Sequence, residues 1–223
     1  MSERGRIIVV GGEKGGVGKS TITTNLAVSL TIQGAEVIII DTDLQKTSIS
    51  WIDRRNQLIE QGGDIPRIHG VSKDGNVRDI VQELAGKYDV VLIDAAGTDS
   101  KSLRTSLTIA DILYTPIKAS QADLETLPHM CQMVDAAKDL NENLISRIVI
   151  SMAPTNPLIN EIREASELLN NFTKYFSISK IFIKERKIYR DALLEGRGVV
   201  EMNNQKASLE IQELSKELLN EQI

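Results

Sequence analysis

The chain of 223 residues holds a single cysteine, a single tryptophan and two histidines, and aromatic residues make up only 4% of it. Cys131 alone excludes a bridged secreted fold, a multi-cysteine zinc site and a cysteine-held iron–sulfur cluster within one chain. His69 and His129 lie far apart with no ligand spacing, which argues against a histidine-based metal centre. So few aromatics also argue against a stacking platform for single-stranded nucleic acid. No run approaches the ~20 consecutive apolar residues that a membrane span needs. The first residues, Met1-Ser2-Glu3-Arg4-Gly5-Arg6, enter a short apolar stretch without a signal-peptide cleavage region, so a cytoplasmic protein with no membrane contact is expected. The net charge of -5 argues against a wholesale basic nucleic-acid binder while leaving room for a local patch.

What the chain does have is a globular balance, 41% hydrophobic and 26% charged, with no low-complexity linker and no internal repeat. Short continuous apolar runs at 6–11, 36–41, 88–94, 111–116, 147–152 and 179–183 alternate with helical patterns, and a further piece lies at 67–71. That alternation predicts an α/β fold: one doubly wound, mostly parallel sheet flanked by helices, as a single domain over residues 1–223. Helices are expected near 45–61, 76–86, 101–109, 122–141, 157–171 and 186–195. Ile22, Leu26, Ala27 and Leu30 form one helical stripe, with Gly34 where a left-handed cap belongs. Over 206–222, Ala207, Ile211, Leu214 and Leu218 share a stripe whose polar face carries more glutamates than lysines. That balance favours core packing over a membrane-lying helix.

The strongest local signal runs from Gly11 to Thr21 (GGEKGGVGKST), between the first strand and the first helix. Gly15, Gly16 and Gly18 let the backbone turn tightly and point successive N–H groups at an anion. The helix that follows adds its free N–H groups and the positive end of its dipole. Lys19 supplies a cation for the β- and γ-phosphates of ATP, and the Ser20 hydroxyl suits Mg²⁺, with Val17 and Thr21 completing the cradle. Glu13 stands where the general GxxxxGK[ST] pattern has its first glycine. Lys14 needs a separate role, because Lys19 already serves the phosphates.

The stretch K-G-G-V-G-K-S-T resembles the signature of the deviant Walker A ATPases, the group of ParA partition ATPases, MinD, nitrogenase iron protein and arsenite ATPase. The resemblance implies that two subunits sandwich their nucleotides as a homodimer on ATP binding, with Lys14 reaching the partner's phosphates. A trans cation of that kind is worth roughly 10³–10⁵ in kcat.

Two strands end in carboxylates, at Asp41-Thr42-Asp43 and at Asp94, on the edge where ligands of open α/β sheets bind. A carboxylate there is costly without a positive partner, and Mg²⁺ with its waters would serve. Asp94 reads as the Walker B aspartate. Asp41-Thr42-Asp43-Leu44-Gln45 resembles the D-x-D-P-Q switch I motif with Leu44 for proline. That match gives Asp43 the shell of the metal and the attacking water, and leaves Asp41 structural. Helix N-capping is the competing role for either carboxylate. Lys14, Lys19 and Asp43 are thus the candidate catalytic residues, Ser20, Asp43 and Asp94 the candidate metal residues, and Gly97 the small residue of switch II.

Residues 186–196 and 120–124 resemble the small ParA proteins of the ParF type. The implied function is plasmid or DNA segregation: an ATPase with slow intrinsic turnover, associated with the nucleoid, that binds double-stranded DNA without sequence preference. A small centromere-binding, ParB-like partner protein would stimulate it. A loop starting at residue 11 leaves no room before it for a helix-turn-helix domain. Lys184, Arg186, Lys187 and Arg190 are the candidate DNA contacts. Four phosphate contacts would give a slope of about -3.6 in log K against log salt. The alternatives are a cargo-positioning ATPase of the same family and an ATP-dependent ligase resembling dethiobiotin synthetase. His129 and Cys131, beside Met130 and Met133, are expected to be packing residues without chemistry.

Overall fold

The computed structural model describes residues 4–156 and 161–220. Seven strands form one sheet: β1 (Arg6–Val10), β2 (Val37–Asp41), β3 (His69–Ser72), β4 (Val90–Asp94), β5 (Ile112–Ile117), β6 (Ile145–Ile150) and β7 (Ser177–Ile178). Their spatial order is β3-β2-β4-β1-β5-β6-β7, and every neighbouring pair is parallel. Both faces are covered, so the strands alternate between two cores rather than between core and water. Ile7, Val9, Ile38, Ile40, Val91 and Ile93 face one core; Ile8, Val10, Val37, Ile39, Val90 and Leu92 face the other.

The first core is closed by α3 (Arg78–Ala85), α4 (Lys101–Leu107), α6 (Leu127–Lys138) and α7 (Glu161–Leu169). The second is closed by α1 (Lys19–Ile32), α2 (Thr47–Glu60), α8 (Lys187–Glu195) and α9 (Gln205–Leu219). The expected α9 stripe is buried, with Ala207, Ile211, Leu214 and Leu218 all in that core. Gly34, just past α1, takes φ 98°, the left-handed conformation that a side chain resists. Residues 157–160, where the expected 157–171 helix begins, and 221–222, at the end of the 206–222 stripe, lie outside the described residues.

Two expectations need correction. The run 122–141 is not one helix: a short α5 (Gln121–Leu124) precedes α6. Pro128 has no N–H to return to the Leu124 carbonyl, so the ladder breaks there and restarts with proline in its first turn. The last strand is not 179–183 but β7, two residues earlier. The Ser179 N–H still reaches the Ile148 carbonyl and the Ile183 N–H reaches that of Ile150, so residues 180–182 leave the ladder between those two bonds.

One buried ion pair ties α2 to the turn before α9. Arg55 is fully buried, and its guanidinium donates to both carboxylate oxygens of Glu201 (2.6 and 2.9 Å) and to the carbonyls of Gly196 and Pro66. Removing one member of such a pair strands a charge in the core. Glu201→Ala should therefore lower stability by about 3–5 kcal/mol, read as a fall in the urea midpoint with little change in slope.

Candidate functional site

Parallel pairing aligns the carboxyl ends of β2, β4 and β1 in one row, with Asp41 beside Asp94 and Asp94 beside Val10. The glycine-rich loop leaves β1 at that row and enters α1. Gly18 caps the helix at φ 90°, and a Cβ on it would lie 2.9 Å from Ser151 Oγ, so both backbone and space demand glycine there. Gly97 is packed as closely: a Cβ there would sit 3.0 Å from the backbone of Gly15 and from Lys19 Nζ. The loop after β4 therefore rests directly on the phosphate loop.

Lys19, the first residue of α1, is buried, and its ammonium donates to the Lys14 carbonyl at 2.7 Å. Burial lowers its pKa, against the opposing charges of Asp94 and Asp43. A cation held this way at a helix N-terminus suits an incoming anion.

Asp94 is the most constrained carboxylate of the site. It is 1% exposed, accepts from Ser48 Oγ at 2.6 Å, and its pKa is pushed up to about 7, chiefly by burial, with Asp41 adding to the rise and Ser48, Ser20 and Lys19 opposing it. Asp41 is fully buried and accepts from the N–H groups of Asp43 (3.0 Å), Ser48 (2.9 Å) and Ile49 (3.2 Å), a structural role that anchors the start of α2. Burial raises its pKa as well, and those backbone donors hold the rise down. Asp43 is half-buried and folds its turn through the Gln45 N–H (2.9 Å). Leu44 beside it is 85% exposed at the mouth of the cleft.

Ser20 and Asp43 line the cleft, and Asp94, buried behind it next to Ser20, forms no ion pair among the described residues, so the oxygen donors present fit a hard divalent ion. No group of three or more His, Cys, Asp or Glu side chains among the described residues is placed to hold a metal. Mg²⁺ commonly needs none, since it takes one or two protein oxygens and completes its shell with waters and phosphates.

Lys14 projects from the loop and pairs within its own chain. Its Nζ lies 3.3 Å from Oδ1 of Asp123, a buried carboxylate at α5 whose other oxygen is held by Ser120 Oγ. His129 is not a packing residue, contrary to expectation. It is 38% exposed, with Nδ1 3.1 Å from Glu13 of the phosphate loop and Nε2 3.5 Å from Asp99 of the loop after β4. Asp99 is paired in turn with Arg104, which holds its carboxyl below the usual carboxylate range. Cys131, Met130 and Met133 are buried as expected.

A cleft of about 620 Å³ opens at this row, running from Gly15, Gly16, Gly18 and Lys19 to a wall made by 183–193. Three of the four candidate DNA residues, Lys184, Arg186 and Arg190, line that cleft, and Lys187 lies apart from its lining. Arg186 is paired with Glu210 (2.6 Å), Lys187 with Asp191 (2.8 Å), and Arg190 lies 3.8 Å from Glu185. The structure does not assemble the four as one unpaired cationic face. Ser48, Asp123 and His129 belong to the site without having been candidates; Ser48 follows D-x-D by one turn and Asp123 lies in the 120–124 stretch, whereas the position of His129 offers no signal.

Residues 6–142 match the family described as ATPase MipZ. Maintenance of carboxysome distribution protein A of Halothiobacillus neapolitanus is 24% identical over 225 residues, covering 98% of each chain. Chromosome partitioning protein ParA of Myxococcus xanthus is 24% identical over 175 residues, covering 63% of this chain and 62% of that one. Among solved structures, an aspartate-to-alanine variant of Cyanothece McdA in complex with ATP has a TM-score of 0.81 over 100% of this chain and 99% of the other. At 17% identity that likeness shows the fold. No helix among the described residues is long and apolar enough to cross a membrane.

The buried Asp94 has a pH signature. Its folded pKa lies above its unfolded value of 3.8, so between about pH 4 and 7 the native state holds a proton that the unfolded chain has lost. Asp94 therefore lowers the stability of the metal-free chain as pH rises through that window, by at most about 1.4 kcal/mol per unit. Asp41 acts in the same direction. Thermal unfolding of Asp94→Asn without metal or nucleotide should show a shallower decline from pH 4 to 7 than the native chain.

Proposed function

The chain belongs to the ATPase MipZ family, and from that premise we propose that it is a cargo-positioning ATPase, driven by an ATP-dependent homodimer acting on DNA. It is an ATPase of the ParA/MinD type. The observation that carries the positioning reading is coverage. Likeness to a maintenance of carboxysome distribution protein runs through 98% of both chains, whereas likeness to chromosome partitioning ParA stops at 62% of that protein. The cargo class we infer is accordingly a large protein-bounded body. Plasmid segregation by a ParF-type protein with a ParB-like centromere-binding partner is the second reading, carried by residues 186–196. Membership in an ATPase family favours either over a ligase resembling dethiobiotin synthetase.

In this reading residues 1–223 act as one P-loop ATPase domain. The backbone of Gly15, Gly16, Val17 and Gly18 and the start of α1 at Lys19, Ser20 and Thr21 cradle the phosphates, with Lys19 on the β- and γ-oxygens. Ser20 directly, and Asp43 and Asp94 through water, would hold Mg²⁺, which neutralises charge on the phosphate oxygens. Asp43 orients the attacking water. Gly97 keeps the loop after β4 close enough to follow the γ-phosphate. Lys14 leaves Asp123 and crosses to the partner's nucleotide, which makes slow turnover the rule until a partner protein stabilises the crossed state. Lys184, Arg186, Lys187 and Arg190 contact DNA weakly, because Lys187 and Arg190 lie beside Asp191 and Glu185 and Arg186 keeps its pair with Glu210, and the protein resides on the nucleoid in the cytoplasm.

Lys14→Ala should still bind ATP yet remain a protomer by light scattering at saturating ATP and Mg²⁺; dimerisation of that variant would remove the role given to Lys14. Binding to random duplex should require ATP and show a log–log salt slope shallower than about -3.6, since some of the four cations stay paired. Deleting the coding sequence in the host should cluster protein-bounded bodies while plasmid inheritance is kept. Plasmid loss with evenly spaced bodies would replace the first reading with the second.

A further inference from the structure

The wall of the cleft opposite the phosphate loop is held by one side chain of the C-terminal helix. Glu210, on α9, is only 13% exposed and takes no part in the phosphate chemistry. Its Oε1 accepts from Arg186 Nε (3.0 Å) and Nη2 (2.6 Å), and its Oε2 from Tyr189 Oη (2.9 Å) and from the Lys184 backbone N–H (3.2 Å). Every donor belongs to the 183–193 segment, and Lys184, Arg186 and Tyr189 all line the cleft. Elsewhere the segment is held by Glu185 N–H to the Ala153 carbonyl (2.8 Å), Ala153 N–H to that of Ile183 (3.0 Å), Lys184 Nζ to the Pro154 carbonyl (3.4 Å) and Arg54 Nη2 to the Leu193 carbonyl (3.0 Å). Tyr189 and Ala192 also pack into the second core, and Glu210 adds the contacts that fix the Arg186 guanidinium and the Tyr189 hydroxyl at the cleft.

A triphosphate seated on Gly15, Gly16, Gly18 and Lys19 leaves the nucleoside to fill the rest of the 620 Å³ cleft, against this wall. A carboxylate that accepts four hydrogen bonds, two of them from a guanidinium, is a rigid anchor, because charge-assisted bonds are short and directional. We propose that Glu210 is a positioning residue of the nucleoside half of the site, through which α9 sets the distance between the 184–189 wall and the phosphate cradle. This deepens the nucleotide assignment above and rests on it. Glu210 touches no nucleotide in this scheme; it acts through Arg186 and Tyr189.

The test compares two probes on the whole chain: Mg·ATP, which fills both halves of the cleft, and Mg·tripolyphosphate, which fills the phosphate half alone. Glu210→Gln should weaken ATP binding about tenfold, the scale of one charge-assisted hydrogen bond, and leave tripolyphosphate affinity within about twofold. Combining it with Arg186→Ala should cost less than the two single losses added, because both act on one contact. Should Glu210→Gln fail to fold, Tyr189→Phe removes only one of the four donors and should show the same selective loss at about threefold. Equal losses for both probes would mark a structural role, and unchanged ATP affinity would mark none; either overturns the proposal. A native chain that binds tripolyphosphate but not ATP would instead overturn the nucleotide assignment, and this inference with it.

Discussion

A carboxylate buried at the end of an apolar strand constrains the whole carboxyl-end surface. Asp94 sits in the row where three parallel strands stop, too deep for water to solvate it and with no cation in direct contact. Burying such a charge is unfavourable unless hydrogen bonds or a counter-ion offset it. The surroundings answer that cost in stages. Ser48 donates from the first turn of α2, and Asp41 fixes that turn by taking its backbone N–H groups. Lys19 stands close enough to act by charge while its ammonium is committed to the Lys14 carbonyl. The start of α2, the end of β4 and the phosphate loop are therefore mutually positioned by the need to shelter one negative charge.

Lys14 shows how the resting chain differs from the state in which it is proposed to act. Its ammonium is neutralised at home by Asp123, whose carboxylate is buried and backed by Ser120. The lysine, 39% exposed, is readily resolvated on leaving, so the cost of the exchange falls on Asp123, which is 2% exposed and is left as an unpaired buried carboxylate. In the proposed dimer the partner subunit's phosphates, carrying more charge, would be the competing attractor.

The fold is legible because parallel strands covered on both faces are written as unbroken apolar runs, and five of the seven strands fall on such runs, with β3 on the shorter piece at 67–71. The phosphate loop was legible because its chemistry is local: adjacent residues, one turn, one helix end. The last strand was misplaced because the run 179–183 is apolar for two reasons, pairing at its ends and packing between them, and composition does not separate the two. His129 was misread because Met130, Cys131 and Met133 beside it are core residues, and nothing in a helical pattern says that the one polar face meets Glu13 and Asp99. Asp123 and Glu210 share that limit: each matters through partners more than twenty residues away. The four cations do not form one free DNA face because three of them lie against carboxylates, and the partner of Arg186 comes from α9, outside the stretch that suggested them.

The two margins of the sheet carry a further consequence. β7 offers a ladder of only two residues, and β3, at the opposite margin, one of four, with Gly70 and Val71 partly buried and His69 and Ser72 exposed. Neither gives an incoming strand enough unpaired backbone to template a continued sheet, the usual route to disordered aggregates. If many copies of this molecule gather along a track, their self-association is left to side chains at loop and helix surfaces. Contacts of that kind are individually weak and separate readily, whereas a shared sheet, once paired, would persist.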